Sequence, residues 1–538
     1  MNLFKSESRK APPISNDTVR EAYSTLMEYK AGKANLEARI IENEQWWRMR
    51  HLEGTKGDAF ASGWLFNSVV NKHADAMDSL PSVTCLPREE GDTAAAKLLS
   101  DILPVILDEN KFESTYSECW YDKLKSGTAC YGVFWDPSLS GGIGNVDIRR
   151  IDLLNLFWEP GITDIQHSAN VFHVELWDNE ALRSRYPILT DCLSSPTFDT
   201  SRYIYDDSVD TKDKSALIDW YYKKSVGNRE IVHLAKFANG ILLYSSENDE
   251  RYAKRGFYDH GRYPFVTDRL YPIQGSPCGF GVIDAMKSTQ LSIDTLGSAI
   301  VKNAKMAAER RYFVRADGSL NEKEFADFTR PFVHYQGSGD PNDSIMPIST
   351  PLLSDIYVSI LKNKIDELKE TSGNRDFSQG GVSGGVTAAS AIAALQEAGS
   401  KTSRDAIAGS YRAFEEICTI VICLISQFFT MPRCFRITGD DGFVKFIYCS
   451  KDSFSPLGAV MPVFDLKVHA HKKSAFSVVS ANELALELYR IGAFDPERAS
   501  QAGIMLELME FEGKDAALAH IRSNAARSSS RTALESYD

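Results

Sequence analysis

The sequence predicts an α+β fold, and three observations carry that prediction. Up to about Ser126, apolar residues recur at helical spacing. From Thr128 to Tyr271 they gather into short alternating runs separated by Gly, Pro, Asp and Asn. Beyond Gly275, long helical stretches return, framing a compact insert and a glycine-rich loop.

Size and composition narrow the class. The 538 residues carry 60 Lys+Arg against 73 Asp+Glu, a formal net charge of −13. Hydrophobic residues at 43% and charged residues at 25% match a globular chain of several domains with ample core. The 28 Phe, 22 Tyr and 8 Trp exclude an intrinsically disordered chain. The most apolar stretch, Ile417 to Met431, contains Thr419, Ser426, Gln427 and Thr430 and falls short of the roughly 20 residues of a membrane span. The N-terminus lacks the apolar core of a signal peptide. Nine scattered cysteines (Cys85, Cys119, Cys130, Cys192, Cys278, Cys418, Cys423, Cys434 and Cys449) form no CxxC, so neither a zinc knuckle nor a disulfide framework is written here, and a reducing cytoplasm is the natural place of synthesis. The acidic balance argues against a protein that grips nucleic acid through a basic stripe. It leaves room for one that surrounds DNA without gripping it.

In chain order, residues 1–16 read as a flexible arm, and Asn16 or Asp17 caps a long polar helix to about His51, with Trp46 and Trp47 near its end as core anchors. Trp64–Leu80 carries Leu65, Val69, Ala76 and Leu80 on one stripe; Pro81 stops it, and Ser82–Pro87 reads as a short strand. Asp92–Asn110 is a further helix with Pro104 inside its pattern, followed by Glu113–Ser126. Strand candidates are Cys130–Asp136, Gly144–Ile151, Leu153–Trp158, Val171–Trp177, Ala216–Lys223, Ile231–Phe237, Ile241–Ser245 and Pro264–Tyr271, mainly antiparallel, with the polar stretch Thr197–Lys214 as a flexible loop.

The last half is the most informative. Gly275–Val282 opens a helix to about Glu309, with Val282, Met286, Ile293, Leu296 and Ile300 on an apolar stripe and many small residues beside it; its length is about 42 Å. Arg310–Thr350 is an insert with one strand candidate (Arg311–Arg315) and a short helix (Glu322–Phe328). A second amphipathic helix, Leu352–Glu370, has Leu353, Ile356, Ile360, Ile365 and Leu368 on one side and Lys362, Asp366 and Lys369 on the other. Four glycines in six residues, Gly380, Gly381, Gly384 and Gly385, make 371–386 the most flexible stretch. Thr387 then caps a very long helix to about Thr430, with Gly399 or Gly409 as kink points. Two strand-rich runs (Cys434–Ser450, Val463–Ser477), C-terminal helices and a Ser/Arg-rich tail from 521 complete the chain.

Signatures of catalysis and cofactor binding are missing. Gly399-Ser-Lys-Thr lacks the order of a P-loop, and Gly141-Gly-Ile-Gly fails the dinucleotide pattern and reads better as a hairpin turn. His469 and His471 share a strand face, but no third ligand is near and Lys472 and Lys473 oppose a cation. Asp440-Asp441 reads as a turn rather than a calcium loop. There is no GxSxG and no HExxH. The basic run Lys302, Lys305, Arg310 and Arg311 could meet phosphate, with a solvated or salt-bridged face as the plainer account. No cofactor and no metal are expected.

The order of elements, with Leu65-Phe-Asn-Ser-Val-Val-Asn-Lys-His-Ala-Asp, the Gly279-Phe-Gly segment followed by Gln290 and Asp294, and Ser383-Gly-Gly-Val-Thr-Ala-Ala-Ser-Ala-Ile, resembles the portal protein (head-to-tail connector) of tailed bacteriophages over about residues 17–515. The resemblance implies a wing (17–274, with strands from 432–477), two stem helices (275–309 and 352–370), a clip between them (310–351), a tunnel loop (371–386), a long kinked helix (387–431), crown helices (478–520) and a disordered tail (521–538). It implies assembly as a dodecameric ring at one capsid vertex. Double-stranded DNA is packaged through that ring by the large terminase and later ejected, with scaffold, major capsid protein and head-completion or adaptor proteins as further partners. The localisation implied is the virion, after assembly in the host cytoplasm, and the ATPase belongs to the terminase, so the chain itself is not an enzyme.

On this basis Asn374, Arg375 and Gln379, with Gly380, Gly381, Gly384 and Gly385, are the loop residues nearest DNA, Arg375 having an intersubunit ion pair as its alternative role. Lys302, Lys305, Lys362, Asp366 and Lys369 are the stem residues that face the channel. Asn321, Glu322, Lys323, Glu324, Asp340 and Asp343 are the clip residues that dock the motor or adaptor. The physics agrees: small side chains let stem helices approach around a narrow axis, and an acidic ring holds DNA less tightly than a basic wall would. Two readings from other classes compete, an enzyme with an unrecognised pocket and an intracellular scaffold that binds partners without enclosing a channel.

Overall fold

The computed structural model describes residues 14–53, 61–190, 193, 198, 200–203, 205, 213–227, 229–308, 311–315, 320–327, 329, 331–336, 340, 345–348, 353–373, 401–438, 444–454, 464–472, 486–487, 489–490 and 521. The helices are α1 (Asn16–Trp47), α2 (Trp64–Met77), α3 (Thr93–Glu109), α4 (Phe112–Ser126), the single turn α5 (Leu139–Gly142), α6 (Asn179–Arg185), α7 (Val282–Ala308), α8 (Glu322–Ala326), α9 (Asp355–Ser372) and α10 (Lys401–Phe428). The strands are β1 (Ser79–Leu86), β2 (Thr128–Asp136), β3 (Asn145–Arg150), β4 (Leu156–Trp158), β5 (Asn170–Asp178), β6 (Lys214–Val226), β7 (Arg229–Ala238), β8 (Ile241–Ser245), β9 (Phe265–Arg269), β10 (Tyr271–Pro272), β11 (Gly279–Phe280), β12 (Arg311–Val314), β13 (Ile345–Ile348), β14 (Arg433–Thr438), β15 (Val444–Cys449) and β16 (Asp465–Lys472). Every ladder among them is antiparallel. The α+β prediction therefore holds.

Two sheets organise the first half: a five-stranded sheet in the order β4-β5-β6-β7-β8 and a three-stranded sheet in the order β3-β2-β9. Along β6, Ala216, Ile218, Trp220 and Tyr222 point to one face and pack with Val19, Ala22, Leu26 and Tyr29 of α1. The C-terminal part of α1 enters the main core instead, through Ile40 and Trp46, alongside α3, α4, the three-stranded sheet, the first turns of α7 and the apolar stripe of α10. At 1.5 Å per residue α1 is about 48 Å long, so one helix ties both cores together.

Its middle is polar yet buried. Lys33 donates to the carbonyls of Leu153 and Leu156, Glu37 accepts from the Ser201 hydroxyl, and Asn43 donates to the Lys125 carbonyl at 2.9 Å. Burial outweighs the attraction of Glu37 and pulls the Lys33 ammonium down to about 8. The helix cap is Ser15, not Asn16 or Asp17, because Asn16 Oδ1 accepts from the Leu242 N–H at 3.0 Å and Asp17 pairs with Arg20. The helix stops at Trp47 rather than His51, since Met49 takes a positive φ of 55° and turns the chain. Trp46 is buried and Trp47 stacks on Phe66, as the anchor reading expects.

Other boundaries move for identifiable reasons. α2 ends at Met77, and Pro81 lies inside β1 opposite Ala470, tolerated because β1 belongs to a two-stranded ladder with β16. The Thr197–Lys214 stretch is not simply a flexible loop. Phe198 is buried edge-on against Phe157 at 5.7 Å and Tyr23 at 6.3 Å, Tyr203 donates to Asp152 at 3.2 Å, and β6 already begins at Lys214. At the arm, Ile14 is buried and hydrogen-bonded, and at the other end Ile521 is buried too. α10 runs through Gly409 without a break, while Gly399 and 387–400 lie outside the described residues, as do most of 478–538. The described cysteines are all free. Among the described residues no group of three His, Cys, Asp or Glu gathers as a metal site, and no helix is long and apolar enough to cross a membrane.

Candidate functional site: a projecting helix pair and its anchor

α7 and α9 form an antiparallel pair. The Leu353 N–H donates to Asn303 Oδ1 at 3.3 Å near one end, and the Thr289 hydroxyl to Glu367 Oε1 at 3.4 Å near the other. α9 starts at Asp355 instead of Leu352 because Ser354 holds an extended cap conformation (ψ 149°), and it ends at Gly373 in the left-handed region. The first half of α7 is buried through Val282, Ile283, Met286, Gln290, Ile293 and Asp294, whereas none of its residues beyond Asp294 is buried. The distal half of the pair therefore projects from the body. Val301, Met306, Ile356, Tyr357, Val358 and Ile360 are exposed there, Ile356 to 59%.

The anchor is a buried polar cluster that includes the Gln290 and Asp294 singled out in the sequence. Asp294 Oδ1 accepts from the Ser62 N–H (2.8 Å), the Ser62 hydroxyl (2.7 Å) and Gln290 Nε2 (2.9 Å). Asp294 Oδ2 accepts from His51 Nε2 at 2.9 Å, and the His51 ring stacks on Trp46 at 3.8 Å. Gln290 Oε1 in turn accepts from the Leu65 N–H at 3.1 Å. One carboxylate thus gathers the end of α1, the segment before α2 and the middle of α7. The first turn of α7 is tied in the same way: Asp284 accepts from the Gly281 N–H (2.9 Å) and from Asn43 (3.0 Å), and Arg39 donates to the Gly279 carbonyl (2.7 Å).

Burial opposes ionisation of Asp294, but the hydrogen bonds from His51, Ser62 and Gln290 outweigh it and hold the carboxyl below its ordinary range. A depressed folded-state value contributes stability above the unfolded value near 3.8 and loses it as pH falls through the folded one. Asp294→Asn is expected to cost about 3 kcal/mol at neutral pH, by turning an amide N–H₂ toward donors. It is also expected to flatten the loss of stability below pH 4; urea unfolding across pH 3–7 checks both, and a wild-type pH slope in the variant would refute the assignment.

The predicted site residues fall into three groups. Lys302, Lys305, Lys362 and Asp366 are exposed on the projecting pair, whereas Lys369 is half-buried with its ammonium 5.7 Å from the centre of the Trp64 ring. In the insert, β12 pairs with β13, a second strand missed because Met346-Pro347 reads as a break in so short a run. Asn321 caps α8, and Glu324 accepts from the His334 N–H at 2.9 Å and Nδ1 at 2.7 Å, so both have duties inside the insert. Glu322, Lys323 and Asp340 are exposed; Asp343 lies outside the described residues. Asn374, Arg375, Gln379, Gly380, Gly381, Gly384 and Gly385 lie outside them as well. Sequence reasoning missed the apolar surface of the insert: Phe313, Phe332 and Met346 are all more than 60% exposed. The signal was present, an aromatic or Met on the outward side of each short strand.

No curated protein matches the chain. The family model described as phage P22-like portal protein matches residues 74–271 and 255–533, which together span most of the sequence, the paired helices and the insert between them included. The chain therefore belongs to the phage P22-like portal protein family.

Proposed function

We propose that this chain is the subunit of a dodecameric portal ring at one capsid vertex, through which double-stranded DNA enters under the terminase motor and later leaves. In this reading α7 and α9 are the stem, 310–351 the clip that docks terminase and then adaptor proteins, 371–386 the tunnel loop, and the two sheets with α1–α4 the wing. Lys302, Lys305, Lys362 and Asp366 are the stem groups that face the channel, and Asn374, Arg375 and Gln379 the loop groups nearest DNA. Scaffold and major capsid protein surround the ring in the virion, and the chain carries no catalysis of its own.

The observation that supports this most is the projecting pair. A lone subunit exposing Ile356, Val358, Ile360 and Val301 on neighbouring turns has an apolar surface of the kind that marks an interface. A neighbouring copy covers it if the helices pack around an axis, leaving the charged side for a wet channel.

The test is particle shape and native mass of the purified chain. Rings with a central hole and a mass near twelve times 60.0 kDa are expected. The Ile356→Glu/Ile360→Glu variant is expected to keep the wild-type helical content by circular dichroism yet form no rings. A closed small oligomer without a channel, or rings unaffected by the double substitution, would defeat the reading.

A further inference from the structure

A cavity of about 790 Å³ lies between the two sheets. Its walls come from the face of the five-stranded sheet opposite α1, from β2 and β3, from the segment between β8 and β9, and from Phe428 at the end of α10. Neither the projecting helices nor the insert contributes, so the cavity belongs to the single subunit. Aromatic rings form its most continuous wall. Trp135 stacks on Phe428 at 4.9 Å and Phe428 meets Tyr258 edge-on at 6.3 Å. From Tyr258 the rings continue through Phe257 (4.7 Å) to Tyr252 (5.4 Å). Sites of about 300–1,000 Å³ with aromatic walls and a few convergent polar groups are the kind that enclose small ligands.

The wall charges decide what charge an occupant can carry. Arg149 reaches from β3 to Asp147 at 3.2 Å and to Glu175 of β5 at 3.4 Å, and Glu175 also accepts from Trp177 Nε1 at 2.8 Å. Lys236 donates to both oxygens of Asp219, at 2.7 and 2.6 Å. At the rim Arg251 pairs with Asp249 at 2.7 Å, outside the cavity. Arg185 lies 5.5 Å from the centre of the Trp177 ring and attracts Asp136, whose carboxylate accepts from the Ser138 N–H and hydroxyl. The charges of the wall are thus matched among themselves. An ion entering this set gives up its hydration and meets its own sign as readily as the opposite one, so neither a cation nor an anion gains. A neutral aromatic body gives up little and gains the ring contacts.

One polar group of the wall is left over. Tyr221 is 2% exposed, its ring held edge-on by Phe265 at 5.4 Å, and its hydroxyl makes no hydrogen bond among the described residues. Burial pushes its ionisation well above the ordinary range, so it stays a neutral donor. A carbonyl or ring nitrogen of an occupant supplies the acceptor it lacks.

We infer that this cavity is a binding site for an uncharged planar aromatic molecule with one hydrogen-bond acceptor, packed against the Trp135, Phe428 and Tyr258 rings with its acceptor on the Tyr221 hydroxyl. The site is independent of ring formation and of DNA.

The test titrates the purified full chain with prodan, a neutral naphthyl ketone whose emission shifts to the blue in apolar surroundings. Saturation at one per subunit is expected. Tyr221→Phe removes a hydroxyl without a partner, so its urea midpoint is expected to match the wild type while prodan binds about fivefold more weakly, the loss of one neutral hydrogen bond. Leu243→Trp, which narrows the cavity from a half-buried position, is expected to weaken binding at least tenfold. Three competitors on the same ring system read the charge preference: methyl naphthyl ketone is expected to displace prodan at least tenfold better than either naphthoate or naphthylmethylammonium. Absence of saturable binding, affinity unchanged in Tyr221→Phe, or equal displacement by the ketone and either ion would overturn the inference.

Discussion

Gly127→Ala is expected to destabilise the subunit by about 4 kcal/mol, well beyond the usual cost of one added methyl group. Gly127 ends α4 with φ +86°, its N–H donating to the Lys123 carbonyl at 3.0 Å and its carbonyl accepting from the Leu270 N–H at 2.9 Å. A Cβ built there would stand 2.2 Å from the carbonyl carbon of Phe280 and 2.5 Å from its Cα. Both are backbone atoms, so no rotamer change relieves the overlap. The left-handed conformation alone costs an alanine about 1 kcal/mol. Displacing the Gly279-Phe280-Gly281 segment adds about 3 kcal/mol, on the scale of an overpacked core. Since that segment leads directly into α7, the displacement is transmitted to the projecting helices.

The control is Gly161→Ala, where φ is +83° but nothing lies within 4 Å of the added carbon. It is expected to cost only the backbone strain, about 1 kcal/mol. Urea unfolding of the two variants measures the difference. Equal losses would mean that close approach to Phe280 contributes nothing.

How far this architecture is legible in the sequence depends on the element. Periodicity is enough for α7, α9 and α10, because each has a long apolar stripe, whereas Gln290 and Asp294 stand out in the sequence only through the family resemblance and their anchoring role appears only in the fold. The partners are another matter. Asp294 is satisfied by His51 and Ser62, more than 230 positions away, and no local pattern specifies that meeting. α1 looks like a solvated helix because Lys33, Glu37 and Asn43 occupy its inward stripe; they are buried by pairing with backbone and side-chain groups of distant segments, which hydropathy cannot register. β13 is short and contains Pro347, so it reads as a break until Arg311–Val314 is placed beside it. The charged residues chosen in the insert follow composition, whereas Phe313, Phe332 and Met346 emerge only once exposure is known.

Lys123→Met is expected to be nearly as damaging as Gly127→Ala, for an electrostatic reason. Lys123 is fully buried, and its ammonium donates to Asp268 Oδ1 (2.7 Å), the Ser410 hydroxyl (2.8 Å) and the Ala406 carbonyl (2.9 Å), with the Trp120 ring centre 4.6 Å away. Burial lowers its affinity for a proton, and Asp268 is the main force that opposes this. Three elements meet at this one group: α4 through Lys123, β9 through Asp268, and α10 through Ala406 and Ser410. Removing the cation leaves Asp268, 3% exposed, with the Ser410 hydroxyl as its one remaining side-chain partner among the described residues, and loss of one member of a buried pair costs about 3–5 kcal/mol. Replacing both members removes the orphaned charge. Lys123→Met/Asp268→Asn is therefore expected to recover at least half of the loss, and the cycle of four proteins isolates the coupling. Because α10 is held at Ala406 and Ser410, the single variant is also expected to be cut faster by protease between Lys401 and Arg412 than within α4. Strict additivity in the cycle would show that the three elements are held by apolar packing alone and that the buried cation is incidental.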